Sequence, residues 1–190
     1  MKIILASKSP RRKEILNMLN IDFKIIKSEF NEKTIGDIGP ADYCMNSAIG
    51  KASHVSNKYP RSYIIGADTI VYHNKRILGK PNNKSQANDY LQLLNNTYHE
   101  VYTGVSVLNK DKSINRKFYE KTIVTFNNIN QKDINFYIEK YKPYDKAGSY
   151  GIQEWSSIFI KKINGCFYNV VGFPLPKFYK LFAEELNINK

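Results

Sequence analysis

The sequence predicts a mixed α/β fold in one domain, and three observations carry that reading. A short apolar strand, Lys2 to Ala6, runs directly into a turn and a helix opened by Pro10. Further helical stretches alternate with strand-like runs, and the strands outnumber what a simple βαβ alternation would give. The 190 residues suffice for one domain over 1–190 with a sizeable core, or for one domain with a small lobe. No internal repeat, linker or low-complexity segment interrupts the chain beyond a general bias to Asn, Lys and Ile.

Each element has a local cause. Ser9 is a natural N-cap and Pro10 a natural first helical residue, because its fixed φ suits the helix and its missing N–H would have no partner there. Ile15, Leu16 and Leu19 supply the apolar face of that helix. Ile21 to Ile25 alternates as a half-buried strand. Gly36, Gly39 and Pro40 make the next break, and a helix follows to about Asn57 with Cys44, Ala48, Ala52 and Val55 near one face and Lys51 beside it. Tyr63, Ile64 and Ile65 suit a buried strand leading into Ala67-Asp68-Thr69. A hairpin through Asn74-Lys75 closes at Gly79-Lys80-Pro81, and Ser85 caps a helix carrying Ala87, Tyr90, Leu91 and Leu94. Val101–Leu108 and Phe118–Phe126 alternate around a polar turn and pair antiparallel. Lys132 to Tyr141 is helical and stopped by Pro143; the small-residue stretch Asp145 to Gln153 is a loop. Ser157–Ile163 and Phe167–Val171 read as strands about Asn164-Gly165, and a last helix spans about Leu175 to Leu186.

Composition narrows the class. Hydrophobic residues make up 42% of the chain, and no run approaches the ~20 apolar residues of a membrane span. Lys2 precedes only four apolar residues before a serine, which is no signal peptide, so the reading is a soluble, cytoplasmic protein. Cys44 and Cys166 lack CxxC or Cys/His spacing and are most simply core thiols. The net charge of +12 calls for an anionic ligand to be considered, yet the lysines are spread along the whole chain like a solvated surface.

Polar residues gather at element ends, where α/β folds place their sites. Arg11 and Arg12 fall in the first turn of the N-terminal helix, where the macrodipole already presents positive charge. Either both arginines point into solvent, or they join Ser7, Ser9 and the helix N-terminus in a phosphate cradle. Asp68 reads as a helix cap or as a working carboxylate, and Glu32 as a surface carboxylate or a cation ligand. Together the carboxylates Glu32, Asp68 and Asp145 and the cations Arg11, Arg12, Lys51 and Lys80 are the inventory of metal-assisted phosphoanhydride hydrolysis. His54, His73 and His99 show no triad spacing, and Trp155 reads as a packing residue.

Six stretches in order, Leu5-Ala6-Ser7-Lys8-Ser9-Pro10-Arg11-Arg12, Ala67-Asp68-Thr69, Gly79-Lys80-Pro81, Tyr102-Thr103-Gly104-Val105, Asp145 to Gln153, and Asn169 to Leu175, resemble the motifs of the Maf family of nucleoside triphosphate pyrophosphatases. The resemblance spans nearly the whole chain. It implies an α/β fold related to that of inosine triphosphate pyrophosphatases, with an elongated mixed sheet flanked by helices, a cleft between two lobes, dependence on a divalent metal (Mg²⁺ or Mn²⁺) and frequent homodimers. It further implies Asp68 as general base, Ser7, Arg11, Arg12, Lys51 and Lys80 as triphosphate ligands, and Glu32 with Asp68 at the metal. Arg11, Thr69 and Gln153 resemble the branch acting on dTTP and UTP, whereas the 7-methyl-GTP branch differs at these places. Two departures stand out: Asn31 replaces a usual carboxylate, and Phe173 stands where leucine is usual. The resemblance implies a nucleoside triphosphate substrate, with neither a stable nucleic-acid partner nor a membrane. The competing readings are a 7-methyl-GTP pyrophosphatase and a basic nucleic-acid-binding module. The second draws on the charge and the 14 tyrosines but has no RNP, KH or zinc signature.

Overall fold

A computed structural model describes residues 2–32 and 38–188. Gly36, expected in the break before the second helix, lies outside the described residues. Among the described residues the sheet has seven strands: β1 (Ile3–Leu5), β2 (Phe23–Ile25), β3 (Tyr63–His73), β4 (Arg76–Leu78), β5 (Tyr98–Asn109), β6 (Ile114–Phe126) and β7 (Ile160–Asn164). Their order is β2-β1-β3-β5-β6-β7, with β4 paired to β3. β1 lies parallel to both β2 and β3, whereas β4 on β3 and β7 on β6 are antiparallel, so the sheet is mixed. The helices are α1 (Pro10–Asn17), α2 (Pro40–Ser56), α3 (Lys84–Leu94), α4 (Gln131–Tyr141), α5 (Phe167–Val171) and α6 (Leu175–Phe182).

The chain forms two compact units. The first comprises Met1–Thr69, Thr103–Glu120 and Gly172–Lys190. Its core includes Ile4, Ala6, Ala52, Val55, Ile64 and Leu108. Here α1 begins as its sequence requires, with Ser9 extended and its hydroxyl accepting from the Arg12 N–H, and with Pro10 at the first helical position. The apolar face of α2 is the expected one, since Cys44, Ala48, Ala52 and Val55 are all buried. β2 departs from the expected alternation: Phe23 is half-buried, and Lys24 and Ile25 are exposed, because the strand forms the edge of the sheet and Ile26 supplies the core contact instead.

The second unit comprises Ile70–Tyr102 and Lys121–Val171. Its core gathers Leu91 and Leu94 of α3, Val124 and Phe126 of β6, and Ile134, Tyr137 and Ile138 of α4. Trp155 is a packing residue, stacked on Tyr137 and Tyr141. The cap of α3 is Asn83, not Ser85: its side chain accepts the Gln86 N–H and starts the helix two residues earlier. Residues 155–159 form a 3-10 turn, and the strand begins only at Ile160. The Ser156 hydroxyl bonds both the N–H and the carbonyl of Gly151, and this local pairing outcompetes a ladder. Phe167–Val171 is helical, not a strand. A five-residue apolar run does not distinguish the two by periodicity, and Asn169 decides it by donating inward to the Val101 carbonyl and the Thr122 hydroxyl. Cys44 is buried as expected, but Cys166 is only half-buried.

Candidate active site

The first unit holds most of the predicted site residues, and one glycine explains how two of them meet. Gly66 and Asp68 are two apart on β3 and therefore share a face of the strand. A Cβ at Gly66 would lie 2.2 Å from the Ala48 carbonyl oxygen and 2.9 Å from the Ala52 Cβ, so α2 closes on β3 only because the side chain is absent. Gly104 makes the same allowance on β5, where a Cβ would fall 2.4 Å from the Cys44 carbonyl. Lys51, one turn on from Ala48, then reaches the strand: its Nζ lies 2.6 Å from Asp68 Oδ1 and 2.7 Å from Glu32 Oε1. Asp68 is 7% exposed and sits within β3, which sets aside the helix-cap reading. Its second oxygen, Oδ2, is buried without a hydrogen-bond partner among the described residues. A buried carboxylate oxygen left open beside a paired one is a proton acceptor or cation ligand in waiting.

The surroundings feel these charges. Burial, followed by the charge of Asp68, pushes the Cys44 thiol up to about 12, which keeps it inert. Burial and then Glu32 and Asp68 raise the Tyr43 phenol. Desolvation lowers the Arg12 guanidinium from its ordinary value, Asp68 and Glu32 work against that shift, and Arg11 adds to it.

Arg12 does not point into solvent. Its Nε donates to the Gly172 carbonyl at 2.8 Å, its NH2 to Thr69 Oγ1 at 2.9 Å and its NH1 to Ser7 Oγ at 3.3 Å. Thr69 Oγ1 lies 2.9 Å from Thr103 Oγ1 and 3.3 Å from the Gly172 carbonyl oxygen. Gly172 takes φ 126°, a conformation suited to glycine, and thereby presents this carbonyl. Ser7 Oγ also accepts the Ser9 N–H at 3.2 Å, which ties the turn between β1 and α1. Arg11, beside it in α1, is half-buried.

Lys80 and Gln153 belong to the second unit and are exposed there, Lys80 after β4 and Gln153 before the 3-10 turn. Sequence reasoning missed Lys146, whose ammonium is buried between Asp145 Oδ1 at 2.7 Å and Glu154 Oε1 at 3.0 Å. A Cβ at Gly151 would stand 2.9 Å from its Cε, so this glycine makes room for the lysine. The only signal was its place in the Asp145–Gln153 stretch. His99 is buried against Tyr150 and has the structural character expected of it.

Among the described residues, no group of three or more His, Cys, Asp or Glu side chains is arranged to hold a metal ion. A pair is arranged: Glu32 and Asp68 converge on one ammonium, and Asp68 Oδ2 is open. Mg²⁺ characteristically takes one or two carboxylates and completes its shell with water and substrate phosphates, so these residues fit a hard divalent cation.

Two curated relatives, both named dTTP/UTP pyrophosphatase, are 48% identical (Bacillus mycoides strain KBAB4) and 50% identical (Bacillus anthracis) over 177 residues, which cover 93% of this chain and 91% of each relative. Among solved structures, a HAM1 protein from Coxiella burnetii superimposes with a TM-score of 0.51 at 16% identity, covering 97% of this chain and 99% of that one. That likeness bears out the fold, a mixed sheet flanked by helices of the kind that HAM1 protein has. No helix among the described residues is long and apolar enough to cross a membrane. Residues 2–185 match the family described as Maf-like protein, and the chain belongs to that family.

Proposed function

We propose that this chain hydrolyses UTP and dTTP to the nucleoside monophosphate and pyrophosphate. The observation that carries the reading is Asp68: a buried carboxylate held on one oxygen by Lys51, beside Glu32, with the other oxygen open. The relatives' name, dTTP/UTP pyrophosphatase, supports the substrate class.

Asp68 accepts a proton from the attacking water through Oδ2, the water oxygen bonds to the α-phosphorus, and the bond from that phosphorus to the bridging oxygen breaks as pyrophosphate leaves. Lys51 holds Asp68 in one orientation through their ion pair, and its own charge offsets that developing on the phosphate oxygens. Ser7, Arg11, Arg12, Lys51 and Lys80 are the triphosphate ligands of this reading. Glu32 and Asp68 would hold Mg²⁺ or Mn²⁺, which when bound would supply Lewis-acid polarisation of the phosphate. Arg11, Thr69 and Gln153 are the specificity residues of this reading. Chromatography of the products tests the bond cleaved: UMP and pyrophosphate from UTP are expected, and UDP with orthophosphate as main products would overturn the geometry.

A further inference from the structure

Lys80 stands on a stretch of chain with no ladder of its own. Residues 79–83 join β4 to α3 without regular structure, and the lysine is exposed. A cation in such a place holds a phosphate well only if its backbone is fixed beforehand, because ordering a loop on binding costs affinity. Two neighbours fix it. On one side Pro81 is buried, and a proline restricts the residue before it to extended conformations. On the other side the Gly79 carbonyl accepts the Gly148 N–H at 3.1 Å.

We infer that Gly148 is a positioning residue for triphosphate binding, acting through Lys80: its N–H pins the carbonyl that precedes the lysine, so that Lys80 meets the phosphates from a backbone already in place. The inference rests on the proposal that Lys80 binds the triphosphate. Position 148 has room for nothing larger than glycine. Its φ is 66°, and a Cβ there would lie 2.9 Å from Val71 Cγ2 and 3.1 Å from Val71 Cγ1 and Cβ. Val71 pairs with Leu78 at the end of β4, so Gly148 occupies the corner between that pair and the residue before Lys80. The loop that carries Gly148 is itself held, since the Lys146 ammonium is clamped by Asp145 and Glu154 and the Ser149 N–H returns to the Lys146 carbonyl at 3.2 Å. All of these residues belong to the second unit.

The test measures binding of inorganic pyrophosphate by titration calorimetry, which reads phosphate contacts without turnover, in the parent, Lys80→Met, Gly148→Ala and the double variant. Lys80→Met weakens binding about tenfold. Gly148→Ala weakens it by a similar factor, and the double variant binds no more weakly than Lys80→Met alone. With UTP, Gly148→Ala raises KM by that factor while kcat stays within about threefold of the parent, as a loss of binding common to ground and transition states requires. Additive losses in the double variant would show that Gly148 acts on the fold or by a route other than Lys80, and would overturn the inference; a fall in kcat with KM unchanged would do the same. Should Gly148→Ala not fold, Val71→Ala decides. It removes the two methyl groups that face Gly148, so pyrophosphate binding weakens about threefold or more in the parent and no further in Lys80→Met; parent-like binding in Val71→Ala overturns the inference. Unaltered binding in Lys80→Met would overturn the reading of Lys80 as a phosphate ligand and the inference with it, whereas weakened binding there beside parent-like binding in Gly148→Ala overturns the inference alone.

Discussion

Lys51 Nζ stands 2.6 Å from Asp68 Oδ1, a contact between a helix and a strand that the missing side chain of Gly66 makes possible. The ion pair is half-hidden from water and shared with Glu32, so it holds Asp68 in one orientation while leaving Oδ2 open. The catalytic account stands on that orientation.

Replacing Asp68 by Asn keeps the shape and an oxygen for Lys51 but removes the carboxylate that the proposed mechanism uses as proton acceptor. Turnover of UTP falls about a hundredfold or more while thermal unfolding stays cooperative. A loss within about tenfold, only ~1.4 kcal/mol of barrier, would move the base to another group, with Glu32 the next to test.

Gly66→Ala inserts a methyl group where 2.2 Å separates its position from the Ala48 carbonyl. The helix must back away, at a cost of about 1–3 kcal/mol or more, and Lys51 moves with it. Denaturant unfolding reads the first effect and kcat the second, and both should fall together. Full activity in a destabilised protein would show that the approach of α2 to β3 does not set the Lys51–Asp68 contact.

His99 gives the fold a pH dependence of known sign. Its Nε2 lies 2.7 Å from the Tyr150 hydroxyl, its ring meets Phe126 edge to face, and burial pushes its pKa from the ordinary 6.5 down to about 3. Between those values the unfolded chain binds a proton that the native chain refuses, so stability present above pH 6.5 is lost as pH falls towards about 3. The slope from this group is at most about 1.4 kcal/mol per pH unit. Denaturation midpoints across this window should fall more steeply for the parent than for His99→Gln, and equal slopes would contradict the assignment.

Gln153 carries both an amide donor and an acceptor, the pairing that a uracil edge needs. Gln153→Ala should narrow the UTP-over-CTP preference, each mispaired group being worth roughly 1–3 kcal/mol, while inhibition by inorganic pyrophosphate changes little. Weakened pyrophosphate inhibition with the preference intact would place Gln153 at the phosphates instead.

Much of this was readable from residues because the signals are local. Ser9-Pro10 marks a helix start by its own geometry, and the small residues on α2 mark a buried face. The same locality misled at Phe167–Val171, where an inward-facing Asn169 overrides an apolar run, and at Ser156, whose hydroxyl closes a turn no spacing announces. Arg11 and Arg12 looked alike in sequence. Their difference is tertiary, since the acceptors of Arg12 lie at Thr69 and Gly172, 57 and 160 residues further along the chain. Lys146 was passed over for the same reason, its second carboxylate partner, Glu154, lying just past the loop that carries the motif.

The most direct test of the whole account is a nucleotide panel with Mg²⁺ or Mn²⁺, in which UTP, dTTP, CTP and 7-methyl-GTP are compared by kcat/KM with the purified chain. The account predicts that UTP and dTTP lead CTP by about tenfold or more and that 7-methyl-GTP trails them. Equal values for UTP and CTP, or a preference for 7-methyl-GTP, would contradict it.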